Sequence, residues 1–154
     1  MPHVVLNVFD APFRNGRVAR SGGAVVNAQS SPARSGWEWP TNTLTALRLG
    51  QRLVTEVPAS RSGRRAFVDI TPSATPEDAE ARSQGWKRAD HARDFTLQHW
   101  DYEADRLDGY DYDIGAVLVK ATAVTSELEL TAALREWGLH PERFVYPWHS
   151  DDPR

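Results

Sequence analysis

Four strand-like segments follow one another from residue 65 onward. The order of these strands and of the helices between them constrains the fold more than any other feature of the sequence. Residues 66–71 are β-branched or apolar except for Asp69, and residues 94–100 alternate between apolar and polar side chains. Residues 114–121 form a longer apolar run, and residues 144–146 a short one. Such segments are typical of strands, and the continuous run at 114–121 predicts a central, buried strand.

Helix signals fall between these strands. Residues 75–78 read Thr-Pro-Glu-Asp, which places a capping residue, a first-position proline and two first-turn acids in succession. Gly85 suits the end of that helix. Ser126 with Glu129 forms a capping box ahead of a second helix. Its apolar face follows helical spacing: Leu130, Ala133, Leu134 and Trp137.

The resulting order over residues 65–148 is β-α-β-β-α-β, which predicts an α+β fold of the ferredoxin-like type. That fold has an antiparallel sheet with its helices on one face. Residues 1–60 are predicted to add an extension: a strand at 3–9, a long loop at 10–41 and a helix at 43–56. At 154 residues, the chain is expected to form one domain.

Bulk composition narrows the class of protein. No apolar run is long enough to span a membrane, and the N-terminus lacks the pattern of a secretory signal. The absence of cysteine excludes disulfides and thiolate chemistry and favours a cytoplasmic location. Residues 1–93 carry a net charge of +5 and residues 94–154 a net charge of −8. A negative surface attracts basic partners and makes direct nucleic-acid binding unexpected.

Residues 100–113, hereafter the acidic segment, combine six carboxylates with four aromatic side chains. In the predicted fold they form the hairpin loop between the second and third core strands. Aromatic anchors surrounded by acids favour recognition of a basic protein, because tyrosine and tryptophan are common binding hot spots and the acids steer the encounter. The candidate binding residues are Trp100, Asp101, Tyr102, Glu103, Asp105, Asp108, Tyr110, Asp111, Tyr112 and Asp113.

This composition predicts an interaction module of the inhibitor or immunity type, acting on a partner such as a nuclease and needing no cofactor. The competing interpretation is a solubilising loop whose aromatic side chains pack back onto the sheet. The sequence sets no oligomeric state and leaves open whether the chain is an enzyme.

A second class of function is a metal-dependent enzyme. The run at 67–70, Phe-Val-Asp-Ile, resembles the first-strand signature of nucleotide cyclases, which share their core with palm-type polymerases. That resemblance implies Mg²⁺ or Mn²⁺ held by Asp69, Asp111 and Asp113 for phosphoryl transfer, with Arg64 or Arg65 on phosphate.

Other polar and aromatic residues suggest further sites. His99 and Asp101 are two apart on a predicted strand, so both are expected on one face. His149 stands beside Asp151 and Asp152, but neither histidine has the spacing of a known zinc motif. Trp37 and Trp39 either cap the core or form an exposed platform, in which case the chain is a small-molecule binding module.

Overall fold

The structure, a computed structural model, describes residues 37–86, 92–109 and 113–154. Its sheet is four-stranded and antiparallel, and its strands lie in chain order. The strands are β1 (Leu53–Val57), β2 (Arg64–Pro72), β3 (Phe95–Glu103) and β4 (Val117–Val124). The predicted α+β class and antiparallel sheet are confirmed. The predicted strands at 3–9 and the loop up to residue 36 lie outside the described residues.

Four α-helices accompany the sheet within the described part of the chain. They are α1 (Thr41–Arg48), α2 (Pro76–Ser83), α3 (Ala104–Asp108) and α4 (Glu127–Glu136). The two helix starts predicted from capping signals are confirmed. The Thr75 N–H donates to Asp78 Oδ2 at 2.9 Å, and Ser126 Oγ accepts from the Glu129 N–H at 3.2 Å.

The main core forms where α1 and α4 pack on one face of the sheet. Side chains of a strand alternate between faces, so Val68, Ile70 and Leu97 point together towards the helices. Leu47 from α1 and Leu134 from α4 complete this cluster, and both are fully buried. α2 contributes no apolar side chain to it.

The helix predicted over residues 43–56 is wrong in its second half. α1 ends at Arg48, and Gly50 adopts a φ of +75°, the left-handed conformation that reverses the chain. The chain then returns as β1, which pairs with β2 and whose first three side chains are buried. Gly50 marks the end of the helix, but the leucines on both sides of it follow helical spacing, so the sequence predicted a longer helix.

Two strand predictions also differ from the structure. Residues 114–121 were expected in the centre of the sheet, but β4 begins at Val117 and is an edge strand among the described residues, since β3 pairs with β2 on its other side. The expected strand at 144–146 is reduced to one bridge between Val145 and Val54. One connection also differs from a split βαβ unit. In that unit, another strand lies between the two strands that a helix joins, whereas here β2 and β3 are joined through α2 and pair directly.

The cap of α4 makes stability dependent on pH. Glu129 Oε2 accepts hydrogen bonds from the Thr125 N–H at 2.8 Å and from the Thr125 hydroxyl at 3.0 Å. The backbone N–H, followed by the hydroxyl, lowers the pKa of Glu129 below its usual value. The stabilisation is therefore complete above the unfolded-state pKa of about 4.3 and is lost as the pH falls through the lower, folded-state pKa.

We expect Glu129→Gln to be less stable than the wild type at neutral pH and equally stable in strong acid, where both side chains are neutral. Urea denaturation at neutral pH and at about pH 2 measures this difference. Glu142→Gln, at an exposed position outside α4, is the matched control. A deficit for Glu129→Gln that does not shrink in acid would contradict the role given to the carboxylate charge.

Candidate interaction surface

The acidic segment is only partly a loop. β3 continues through Glu103, and α3 follows directly, so the predicted hairpin loop is wrong for residues 100–108. The Glu103 N–H donates to Ile114 O at 3.2 Å, which extends the β3–β4 hairpin beyond the strands themselves. Tyr110, Asp111 and Tyr112 lie outside the described residues.

Two of the four aromatic side chains pack onto the second face of the sheet. Tyr102 is fully buried beside Val54 and Phe67, and Trp100 packs partly buried against the same cluster. The Arg154 guanidinium lies 4.6 Å from the centre of the Trp100 ring. Burial raises the pKa of Tyr102, and the nearby Arg154 opposes that shift. Tyr102 is therefore part of a second, smaller core and not an exposed anchor.

The carboxylates of the acidic segment divide into paired and exposed groups. Glu103 forms ion pairs with Arg106 at 2.5 Å and Arg64 at 3.6 Å. Asp105 and Asp108 lie exposed on α3. Asp101 differs from all of these because its side chain is buried, and its Oδ2 accepts hydrogen bonds from the Ser60 N–H and hydroxyl.

Asp113 forms a turn just ahead of β4. Its Oδ1 accepts from the Gly115 N–H at 3.0 Å, and Oδ2 lies 3.1 Å from the Arg106 guanidinium. The Gly115 N–H, followed by Arg106, lowers the pKa of Asp113. Gly115 has a φ of +60°, and a Cβ there would lie 2.8 Å from the Glu103 side chain, so any other residue would strain the backbone and displace Glu103. The acids at 103 and 113 are thus held together at the end of the sheet where β4 begins.

β4 exposes apolar side chains that the sequence pattern placed in the core. Val117, Leu118 and Val119 are 48%, 44% and 44% exposed. Within the described residues, β4 pairs only with β3, so its outer edge carries backbone N–H and C=O groups without a neighbouring strand. The register shifts between His99 and Trp100, a bulge that leaves the remainder of β4 regularly paired.

Asp69 does not lie beside Asp113. It pairs with Gln98 in the middle of the sheet, whereas Asp113 lies beyond the level at which Glu103 pairs with Arg64. Asp69 and Arg64 are five residues apart on β2, and a strand rises about 3.3 Å per residue, so the two carboxylates lie at different heights along the sheet. Asp113 Oδ2 is held by Arg106, and its side chain is 84% exposed.

The buried Asp69 carboxylate already has partners. Its Oδ1 lies 2.7 Å from Arg154 Nη2, and its Oδ2 accepts from the Thr71 hydroxyl at 3.0 Å. Among the described residues, no group of three or more His, Asp or Glu side chains is placed to hold a metal. Because Asp111 lies outside them, the Mg²⁺ or Mn²⁺ site stays a prediction.

Aromatic and histidine side chains near the C-terminal half of the fold mostly pack against one another. Trp37 stacks on His140 at 4.3 Å, and Trp39 donates from Nε1 to the Thr131 hydroxyl at 3.0 Å. Both tryptophans are partly buried against the main core, as the capping interpretation predicts. His149 contacts Tyr146 edge-on. His99 and Asp101 do share one face, with Nε2 and Oδ1 3.3 Å apart.

Comparisons with protein-family models, with curated proteins and with solved structures found no significant match. No helix in the described part of the chain is both long enough and apolar enough to cross a membrane. The function therefore has to be inferred from this chain's own surfaces.

Proposed function

We propose that this chain is a protein-interaction module that binds a basic protein by accepting one of its strands at the outer edge of β4. The exposed apolar run at 117–119 on that edge carries the proposal. An inhibitor or immunity protein that neutralises a nuclease is the class this predicts. The predicted cytoplasmic location suits a partner met inside the cell.

An exposed sheet edge binds extended peptides well because it presents both main-chain hydrogen bonds and side-chain contacts. A strand added to β4 would pair with the N–H and C=O groups that have no neighbouring strand within the described residues, while Val117, Leu118 and Val119 supply apolar contact. Proteins usually protect such edges with charged or shortened strands. β4 is eight residues long and carries a single charge, Lys120.

The charge of the surroundings favours a basic partner. Exposed Asp105 and Asp108 on α3, together with the 84% exposed side chain of Asp113, lie at the end of the sheet from which β4 starts. A strand docking along β4 would pass this negative surface. Opposite charge on the partner accelerates encounter and sets its orientation, and both effects weaken with added salt.

The test begins with a displayed library of random peptides selected against the wild-type protein, followed by synthesis of the enriched peptides. We expect these to combine β-branched residues with lysine and arginine and to bind with measurable heat. N-methylation of the peptide backbone should abolish binding at every second position only, because an added strand directs alternate N–H groups to β4.

Variants then locate the binding surface. Leu118→Ser should weaken peptide binding about tenfold, as expected for an apolar interface contact worth roughly 1.4 kcal/mol. Leu128→Ser, at an 82% exposed position on α4, should have no effect. Asp105→Lys with Asp108→Lys should slow association and remove its salt dependence, whereas Glu80→Lys with Glu142→Lys, an equal change in charge elsewhere, should not.

Three outcomes would overturn the proposal. Enriched peptides of acidic composition would contradict the charge argument. Sensitivity to N-methylation at consecutive positions would contradict strand addition. A concentration-dependent dimer that dissociates in Leu118→Ser would show that a second copy of this chain, and not a basic partner, occupies the edge.

A further inference from the structure

A cleft of about 440 Å³ lies on the helix-bearing side of the sheet. Its floor is formed by His99 and Val68 on neighbouring strands. Its walls come from the segment after β1 and from the segment that follows α4, including Leu139. This volume is in the range of sites that hold small molecules.

The floor of the cleft contains a histidine backed by a buried carboxylate. Asp101 is 1% exposed, and its Oδ2 is held by the backbone and hydroxyl of Ser60. Its Oδ1 faces His99 Nε2 at 3.3 Å, and within the described residues neither of these two buried atoms makes a hydrogen bond. Since Nε2 is buried against Oδ1, Nδ1 is the ring nitrogen left for a molecule in the cleft.

Two cationic side chains and the carboxylate of Glu136 border the same cleft. Lys120 Nζ lies 4.3 Å from the centre of the Trp137 ring, which positions the ammonium, and 3.8 Å from Glu136 Oε1. Arg143 donates from Nη2 to Glu56 O at 3.2 Å and lines the cleft. Its planar guanidinium suits the oxygens of a carboxylate or phosphate.

We propose that this cleft binds a small hydroxylated organic anion. Its carboxylate or phosphate lies between Lys120 and Arg143, its hydroxyl donates to His99 Nδ1, and its carbon skeleton packs on Val68 and Leu139. Asp101 is a positioning residue that orients His99. The cleft shares Lys120 with β4, but it lies on the helix-bearing face of the sheet, whereas the partner proposed for β4 would pair with the outer edge of the strand.

The probes are glycerol 2-phosphate and lactate, which separate phosphate from carboxylate recognition, with inorganic phosphate, acetate and glycerol as references. The readout is the ring-proton NMR signal of His99, assigned by comparison with His99→Gln. We expect at least one hydroxylated anion to shift this signal saturably, with a dissociation constant below about 1 mM. Glycerol should not shift it.

The double variant Lys120→Ala with Arg143→Ala should weaken that binding about tenfold or more, because it removes both charge-assisted contacts. Arg135→Ala, which removes a cation on α4 that does not line the cleft, is the matched control and should bind as the wild type does. In His99→Gln, followed by calorimetry, the hydroxylated probe should lose its advantage over its reference anion.

If none of the probes shifted the His99 signal saturably, the proposal would be overturned. So would equal binding by the wild type and the double variant. Lys120 and Arg143 are both exposed, so the double variant is expected to fold as the wild type does, which circular dichroism checks.

Discussion

Replacing Asp78 with asparagine is expected to lower the free energy of unfolding by about 3–5 kcal/mol, because it removes the carboxylate charge that faces two nitrogens of a buried guanidinium. Arg93 is 4% exposed, and its Nη1 and Nη2 lie 2.6 and 2.5 Å from the two oxygens of Asp78. Asparagine keeps an oxygen that can accept the Thr75 N–H, so the helix cap is largely preserved. Urea denaturation of the wild type and Asp78→Asn measures the difference.

The size of this effect follows from what Arg93 connects. Besides Asp78 at the start of α2, its guanidinium donates to Arg48 O at 2.7 Å and to Ser73 O at 2.9 Å. A Cβ on Gly50 would lie only 3.1 Å from it. One buried cation thus joins the end of α1 to the connection between β2 and α2.

A surface ion pair provides the control for Asp78→Asn. Glu56 also binds an arginine with two hydrogen bonds, to Arg65 at 2.9 and 3.1 Å, but the Glu56 side chain is half exposed. Glu56→Gln should cost about 1 kcal/mol or less, since exposed pairs gain little over water. If Asp78→Asn cost no more than Glu56→Gln, the buried pair would not have the role given to it. The double change Asp78→Leu with Arg93→Met should recover stability relative to Asp78→Asn, because both charges of this buried pair are removed together.

Truncating Leu134 to alanine is expected to cost about 2–5 kcal/mol, the range for large-to-small changes in a packed core. Leu134 is fully buried at the centre of the cluster that joins α4 to the sheet. The loss combines the apolar surface no longer buried with the cavity that the surrounding side chains leave unfilled.

Leu128 on the same helix is the matched control. It is 82% exposed, so Leu128→Ala removes the same atoms without creating a cavity and should change stability by no more than about 0.5 kcal/mol. Thermal and urea unfolding of both variants measure the contrast. Similar costs at the two positions would contradict the orientation of α4 described here.

Local signals were sufficient where a few adjacent residues decide the structure. The starts of α2 and α4 followed from Thr75 and Ser126, because a cap needs only the N–H groups of the next turn. Strand alternation at 95–100 and the shared face of His99 and Asp101 followed from the two-residue period of a strand.

Predictions failed where distant segments decide the outcome. A run such as 117–121 has the same composition at an edge as in the centre of a sheet, and only the pairing of β2 with β3 leaves it outside. The acidic segment was predicted to form one surface. In the structure, Asp101 and Tyr102 lie on opposite faces of the sheet, and both side chains are buried.

What the sequence determined by itself is therefore the class of fold, two helix boundaries and the acidic character of the segment that precedes β4. The tertiary structure decided which strand edge stays open, which carboxylates remain exposed and where Arg93, Asp101 and His99 find their partners. The physical reason is range: capping and alternation act over a few residues of chain. Burial and charge pairing depend on segments brought together from as far apart as residues 69 and 154.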